Sequence, residues 1–168
     1  MTLLPRLMMM RPLILAIASR FAWLPPKLAR VTVGWVFLLS GWGKLHNLEQ
    51  VTEFFASIGI PAPGIQAPFA SATELVCGAL LLAGLGTRLA AMPLVVVMAV
   101  AIATARLEEL TSAGALFGFV EFTYIALLLY IAVGGPGPLS LDHLLQRRAA
   151  RVSKPAAPSA GAVRVRVA

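Results

Sequence analysis

Four runs of apolar residues dominate this chain, and each is close to the length that crosses a hydrocarbon layer. They cover roughly Leu28 to Leu45, Ile65 to Leu85, Leu89 to Ala105 and Ala115 to Val133. About 20 helical residues span a hydrocarbon core ~30 Å thick. A soluble domain needs about a quarter of its residues charged to cover its surface. Here 12% are charged and 59% are hydrophobic, with a mean hydropathy of +0.86. Such a surface must face lipid. Backbone groups in lipid have to be satisfied within the segment, which leaves helices or a closed barrel. The runs lack the alternation of barrel strands. The expected fold is therefore all-α, an integral membrane four-helix bundle. Pro61, Pro63 and Gly64 separate its first two spans, Gly84, Gly86 and Arg88 the next two, and Arg106, Glu108 and Glu109 the last two.

A net charge of +7 raises the question of nucleic acid, and the placement of the charge answers it. Arg6, Arg11, Arg20, Lys27 and Arg30 precede the first span, and Arg88 lies between spans two and three. Arg147, Arg148, Arg151, Lys154, Arg164 and Arg166 follow the fourth. Only Lys44 and Arg106 fall on the other side. The positive-inside rule then puts both termini in the cytoplasm, in a multi-pass protein of the bacterial inner membrane. The basic excess is a topology signal, and no nucleic-acid partner is expected.

Three segments follow: a basic N-terminal stretch over 1–27, the four-span domain over 28–145 and a basic tail over 146–168. For Leu7 to Pro26, a secretory signal and a fifth span compete with an interfacial helix. The last is favoured, with Arg11 and Arg20 at the headgroups and Trp23 as an anchor. The Ala/Pro/Ser-rich tail is expected to lack fixed structure. Cys77 is the single cysteine and cannot form an internal disulfide; inside span two it serves as a small packed side chain. His46 and His143 fall on opposite sides of the membrane, and there is no CxxC, so no metal or haem site is expected of this chain alone.

Residues three or four apart share a helix face. On span two, Ala67, Ser71, Glu74 and Gly78 form such a stripe, of small residues around one carboxylate. Gly34, Gly41 and Lys44 do the same on span one, and Gly114, Gly118, Glu121 and Tyr124 on span four. Small residues let membrane helices approach closely. A carboxylate in hydrocarbon costs roughly 2.5–3.5 kcal/mol, so Glu74 requires compensation. It lies about 13 Å from the start of its span, and Glu121 about 9 Å from its own. Lys44 and Arg106, at the outer ends of spans one and three, can bend inward. Glu74 is thus expected to face the interior, either protonated or hydrogen-bonded towards Lys44, with Lys44, Glu74, Glu121 and Arg106 gathered in one outer-half polar pocket. A purely structural account stands beside this one. Interhelical polar contacts can serve as glue, at about 0.6 kcal/mol each.

Three stretches carry a family resemblance: LLSGWGKLHNLEQVTEFFASIGIP, ATELVCGALLLAGLGTRLAA and GGPGPLSLD. Span one ends in Ser-Gly-x-x-Lys-Leu, a Phe-rich outer helix ends in Gly-x-Pro, and span two carries Glu-Leu-x-x-Gly followed by Gly-x-x-Thr-Arg. Gly-Pro-Gly-x-x-Ser-x-Asp follows span four. In order and spacing these resemble the DoxX family of four-helix bacterial membrane proteins, over about Leu28 to Leu145. The resemblance marks Ser40, Gly41, Lys44, Glu74, Gly78, Arg88 and Asp142 as pattern positions. Asp142 also has a local account, as the first-turn acid of a short helix capped by Ser140.

The resemblance implies an association with redox chemistry, as the membrane subunit of an oxidoreductase complex with a quinone or a small sulfur or thiol species as ligand. It carries over no catalytic residue, and Cys77 offers no dithiol. The alternative is a non-enzymatic scaffold or assembly factor. The expected partners are the lipid bilayer and either a redox protein or further copies of this chain. No cofactor is expected to be built by this chain alone, and a quinone is the candidate ligand.

Overall fold

A computed structural model describes residues 15–135, 137, 140–142 and 148. The extreme N-terminus, including Arg11, and the tail from Ala149 lie outside the described residues. Every regular element among the described residues is helical. The first, α1, covers 15–21 and is exposed throughout. It is followed by α2 (Leu24–His46), α3 (Leu48–Ser57), α4 (Pro63–Ala83), α5 (Thr87–Ala105), α6 (Ala113–Gly118) and α7 (Val120–Gly134).

Local chemistry sets the boundaries. Prolines fall in the first turns of α2 and α4, where a missing N–H leaves no helical bond unmade. The α4–α5 turn needs two left-handed residues, and Gly84 (φ 69°) and Gly86 (φ 56°) supply them without a Cβ clash. Gly84 sends its N–H back to the last carbonyls of α4.

The core is built by α2, α4, α5 and α7, from Val33 and Phe37, Cys77 and Leu81, Ala90, Ala91, Leu94 and Met98, and Leu128 and Ile131. α2 lies hard against α4. A Cβ on Gly78 would sit 2.5 Å from the Leu38 nitrogen and 2.9 Å from the Phe37 carbonyl carbon. One on Gly41 would collide with the backbone of Leu75 and Ser71. The expected seam of small residues on spans one and two is therefore real, and it is a backbone-to-backbone contact.

Span four departs from expectation. Phe119 is extended (φ −77°, ψ 130°) and breaks the run into α6 and α7. Nothing stands within 4 Å of a Cβ placed on Gly118, and only the Ser112 hydroxyl, at 3.6 Å, approaches one on Gly114. The Gly114–Gly118 pair is not a helix-contact face, because the break at Phe119 puts it outside α7.

The surface is inverted relative to a soluble protein. Arg30, Ser71, Glu74 and Thr87 are buried, whereas Leu89 and Val133 are 81% and 80% exposed. Hydrocarbon is the solvent that suits this distribution. Among the described residues, α4 and α5 are long and apolar enough, by length and composition, to cross a membrane. α7 is apolar but has 15 residues, about 22 Å of helix.

Candidate functional site

Glu74 sits midway along α4 and is 1% exposed. Its partners come from one face of α2. Lys44 Nζ reaches Oε1 at 2.6 Å, and the Ser40 hydroxyl donates to Oε2 at 2.7 Å. Ser40 and Lys44 are four residues apart, so α2 presents both towards the same side. Ser71, one turn before Glu74, turns its hydroxyl onto the Ala67 carbonyl at 2.7 Å and makes no demand on the carboxylate. The close approach at Gly41 and Gly78 brings α2 near enough for Ser40 and Lys44 to reach across. Both carboxylate oxygens are thus satisfied, which is the condition for keeping a charge away from water.

Lys44 is not sealed in; its side chain is 35% exposed. Both members of the pair line a cavity of about 580 Å³, Lys44 from α2 and the rest of the helical wall from α3, α4 and α5. The rest of its wall is largely apolar, with Phe54 and Phe55 from α3, Phe69 from α4 and Val96 and Val100 from α5. Gln50, Gln66 and Thr104 supply the remaining polar groups.

The expected single pocket divides into two sites. Arg106, the C-cap of α5, bonds Glu109 at 2.9 Å and Glu121 at 3.4 Å, not Glu74. These hydrogen bonds raise the Arg106 pKa above its ordinary value. Its guanidinium also lies over the Phe119 ring, 5.9 Å from the centroid. Arg106, Glu109 and Glu121 line a second cavity of about 470 Å³, which neither Lys44 nor Glu74 touches. The division follows from the extended residue at Phe119, which sets Glu121 in the first turn of α7 beside Arg106.

The remaining pattern residues converge at the opposite end of α4. The Asp142 carboxylate accepts from the N–H groups of Gly86 (2.8 Å) and Thr87 (3.1 Å) and from the Thr87 hydroxyl (3.2 Å). The Asp142 carboxylate thus caps the start of α5, while residues 141 and 142 are themselves helical and the Ser140 hydroxyl donates to the Gly137 carbonyl at 3.0 Å. Burial opposes the Asp142 charge, but these hydrogen bonds and the field of Arg30 prevail and hold its pKa below the ordinary carboxyl value. Arg88 donates to the Val133 carbonyl at 3.3 Å and ties α5 to the end of α7.

Arg30 was not expected here. Sequence reading places it as a flanking charge, yet it is 4% exposed, with its guanidinium against Gly84. The signal was available: Arg30, Val33, Gly34, Phe37 and Gly41 follow helical spacing along one buried face of α2.

An all-helical membrane protein that pairs a buried mid-helix carboxylate with a lysine of the neighbouring helix is the class that this fold and site define. The particular family follows from comparison: residues 26–107 match the DoxX family, and the chain belongs to it. It is 37% identical over 131 residues to the uncharacterized membrane protein Rv3486 of Mycobacterium tuberculosis, covering 71% of this chain and 80% of that one. It is 33% identical over 117 residues to CatD of Bacillus subtilis, whose name proposes an oxidoreductase, covering 68% and 82%. The inner membrane protein YphA of Escherichia coli is 26% identical over 121 residues, covering 69% and 86%. No solved structure matches the chain.

Proposed function

We propose that this protein is a multi-pass subunit of the bacterial inner membrane that serves redox chemistry by binding a quinone, or a small sulfur or thiol species, beside Lys44 and Glu74. In this reading α2, α4 and α5, with α6 and α7 together, make the four-helix bundle, and both termini are cytoplasmic. The span domain covers 28–145, between the N-terminal segment 1–27 and the tail 146–168. The observation that carries the binding role is the ion pair at the wall of an otherwise largely apolar cavity of about 580 Å³. Cavities of about 300–1,000 Å³ with a few placed polar groups are the usual form of small-molecule sites. The name of CatD supports the redox direction.

The residues present fit a quinone. Lys44 would donate to a ring carbonyl, and the aromatic and branched side chains of α3, α4 and α5 would hold the ring and the start of its tail. A quinone supplies two-electron chemistry when bound. Lys44 and Glu74 would fix the head and keep a proton-exchanging group beside its oxygen. Electrons come from a partner redox protein, since Cys77 offers no dithiol and the chain builds no metal centre in this reading. Arg106 and Glu121 line a cavity of their own and would act at most from the neighbouring rim.

A scaffold role has one observation in its favour: the Lys44–Glu74 bond also fastens α2 to α4. Purifying the parent, Lys44→Met and Glu74→Gln from native membranes, then quantifying bound quinone and associated proteins by mass spectrometry, separates the two. The binding role expects bound ligand to fall in both variants while folding and partner recovery persist. Unchanged ligand and partner content in a folded Glu74→Gln protein refutes it.

A further inference from the structure

We infer that the cavity beside Lys44 and Glu74 takes a neutral, carbonyl-bearing amphiphile with an alkyl or isoprenoid tail, and that this molecule enters sideways from the hydrocarbon between α3, α4 and α5. This presupposes the binding role proposed above and selects among its ligands.

Charge chooses the head. Lys44 and Glu74 are 2.6 Å apart and balance one another. An anionic head that approached Lys44 would also meet the Glu74 carboxylate, and a cationic head would meet the Lys44 ammonium. Either would bury a net charge in a wall with no counterion to spare. A neutral carbonyl asks only for a donor. An ammonium has three, and one is committed to Glu74.

Exposure chooses the route. Phe54 of α3, Phe69 of α4 and Val96 and Val100 of α5 all line the cavity. The same four are 51%, 72%, 60% and 45% exposed. Side chains that belong at once to a cavity wall and to an apolar outer surface mark an opening towards lipid. The opposite edge differs: Gln50 lines both this cavity and a shallow hollow shared with Glu49 and Glu53. That edge is polar and would be the path from water. A tail left in the lateral opening stays in hydrocarbon, whereas a tail leaving by the polar edge would be wetted.

The full-length protein in nanodiscs, with decyl-ubiquinone supplied in the bilayer and thiosulfate in the buffer, tests this. The expected result is decyl-ubiquinone retained above the level of empty nanodiscs. Val100→Trp, at the lateral opening, should slow its loading at least tenfold, while Glu53→Trp, in the polar hollow outside the cavity, changes the rate by less than twofold. Phe69→Trp narrows the same opening from α4 and gives the same result if Val100→Trp melts below the parent. Slowing by Glu53→Trp and not by the lateral variants would overturn the route. Binding of thiosulfate in place of decyl-ubiquinone, lost in Lys44→Met, would overturn the neutral amphiphile and leave the binding site standing. Retention of neither probe would overturn both.

Discussion

Removing the cation from the Lys44–Glu74 pair should cost more than neutralising the anion, because the two ends are buried unequally. Glu74 is 1% exposed, and among the described residues its oxygens are served by Lys44 and Ser40. Lys44→Met leaves that carboxylate with the Ser40 hydroxyl as its remaining donor. Breaking a buried pair in this way costs about 3–5 kcal/mol. Water reaching through the partly exposed Lys44 position brings the expectation to the lower end, about 3 kcal/mol. Glu74→Gln differs. The amide oxygen still accepts a hydrogen bond, and the Lys44 ammonium can recover solvent, so about 1 kcal/mol is expected. The double variant buries no unpaired charge and should be milder than Lys44→Met alone, with a coupling of about 1–2 kcal/mol. Equilibrium unfolding in mixed micelles, followed by circular dichroism, measures all three. A Lys44→Met cost of about 0.6 kcal/mol, the average for interhelical polar contacts, would refute the reasoning. So would strict additivity in the double variant.

Gly78→Ala should destabilise the α2–α4 contact by about 1–3 kcal/mol, since its methyl group meets backbone and not a movable side chain. Gly118→Ala meets nothing and should be neutral or gain up to about 1 kcal/mol from helix propensity; equal losses in thermal melts of the two would show the seam misplaced. Asp142→Asn should cost about 1–2 kcal/mol by weakening the cap on α5. The parent Asp142 pKa is depressed, so its contribution is fully present above the ordinary value of about 3.9 and disappears as pH falls through the lowered value. Melts of parent and Asp142→Asn should stay apart from pH 7 to pH 5 and converge in stronger acid; a gap that widens on acidification contradicts this. Cysteines placed at Glu49 and Glu108 should label from the periplasm in intact cells, while one at Ser153, outside the described residues, should not.

What the sequence determines by itself is the solvent and much of the contact chemistry. Apolar runs near 20 residues, with their polar groups confined to stripes, admit helices in lipid and little else. Helical spacing was enough to put Gly41 and Lys44 on one face of span one and Glu74 and Gly78 on one face of span two, because i, i+3 and i+4 neighbours share a face whatever the tertiary fold. Tertiary structure alone decided which charge meets which. Arg106 looked as able as Lys44 to bend towards Glu74, and only the extended residue at Phe119, a one-residue departure from helix, commits it to Glu121 and Glu109. Asp142 likewise has a sound local account, yet it caps α5, 55 positions away in sequence from Thr87. No periodicity records a contact at that separation, since it depends on how whole helices pack and not on the spacing within one. The cavity is of the same kind: its walls come from α2, α3, α4 and α5, and the shape between these helices belongs to none of them.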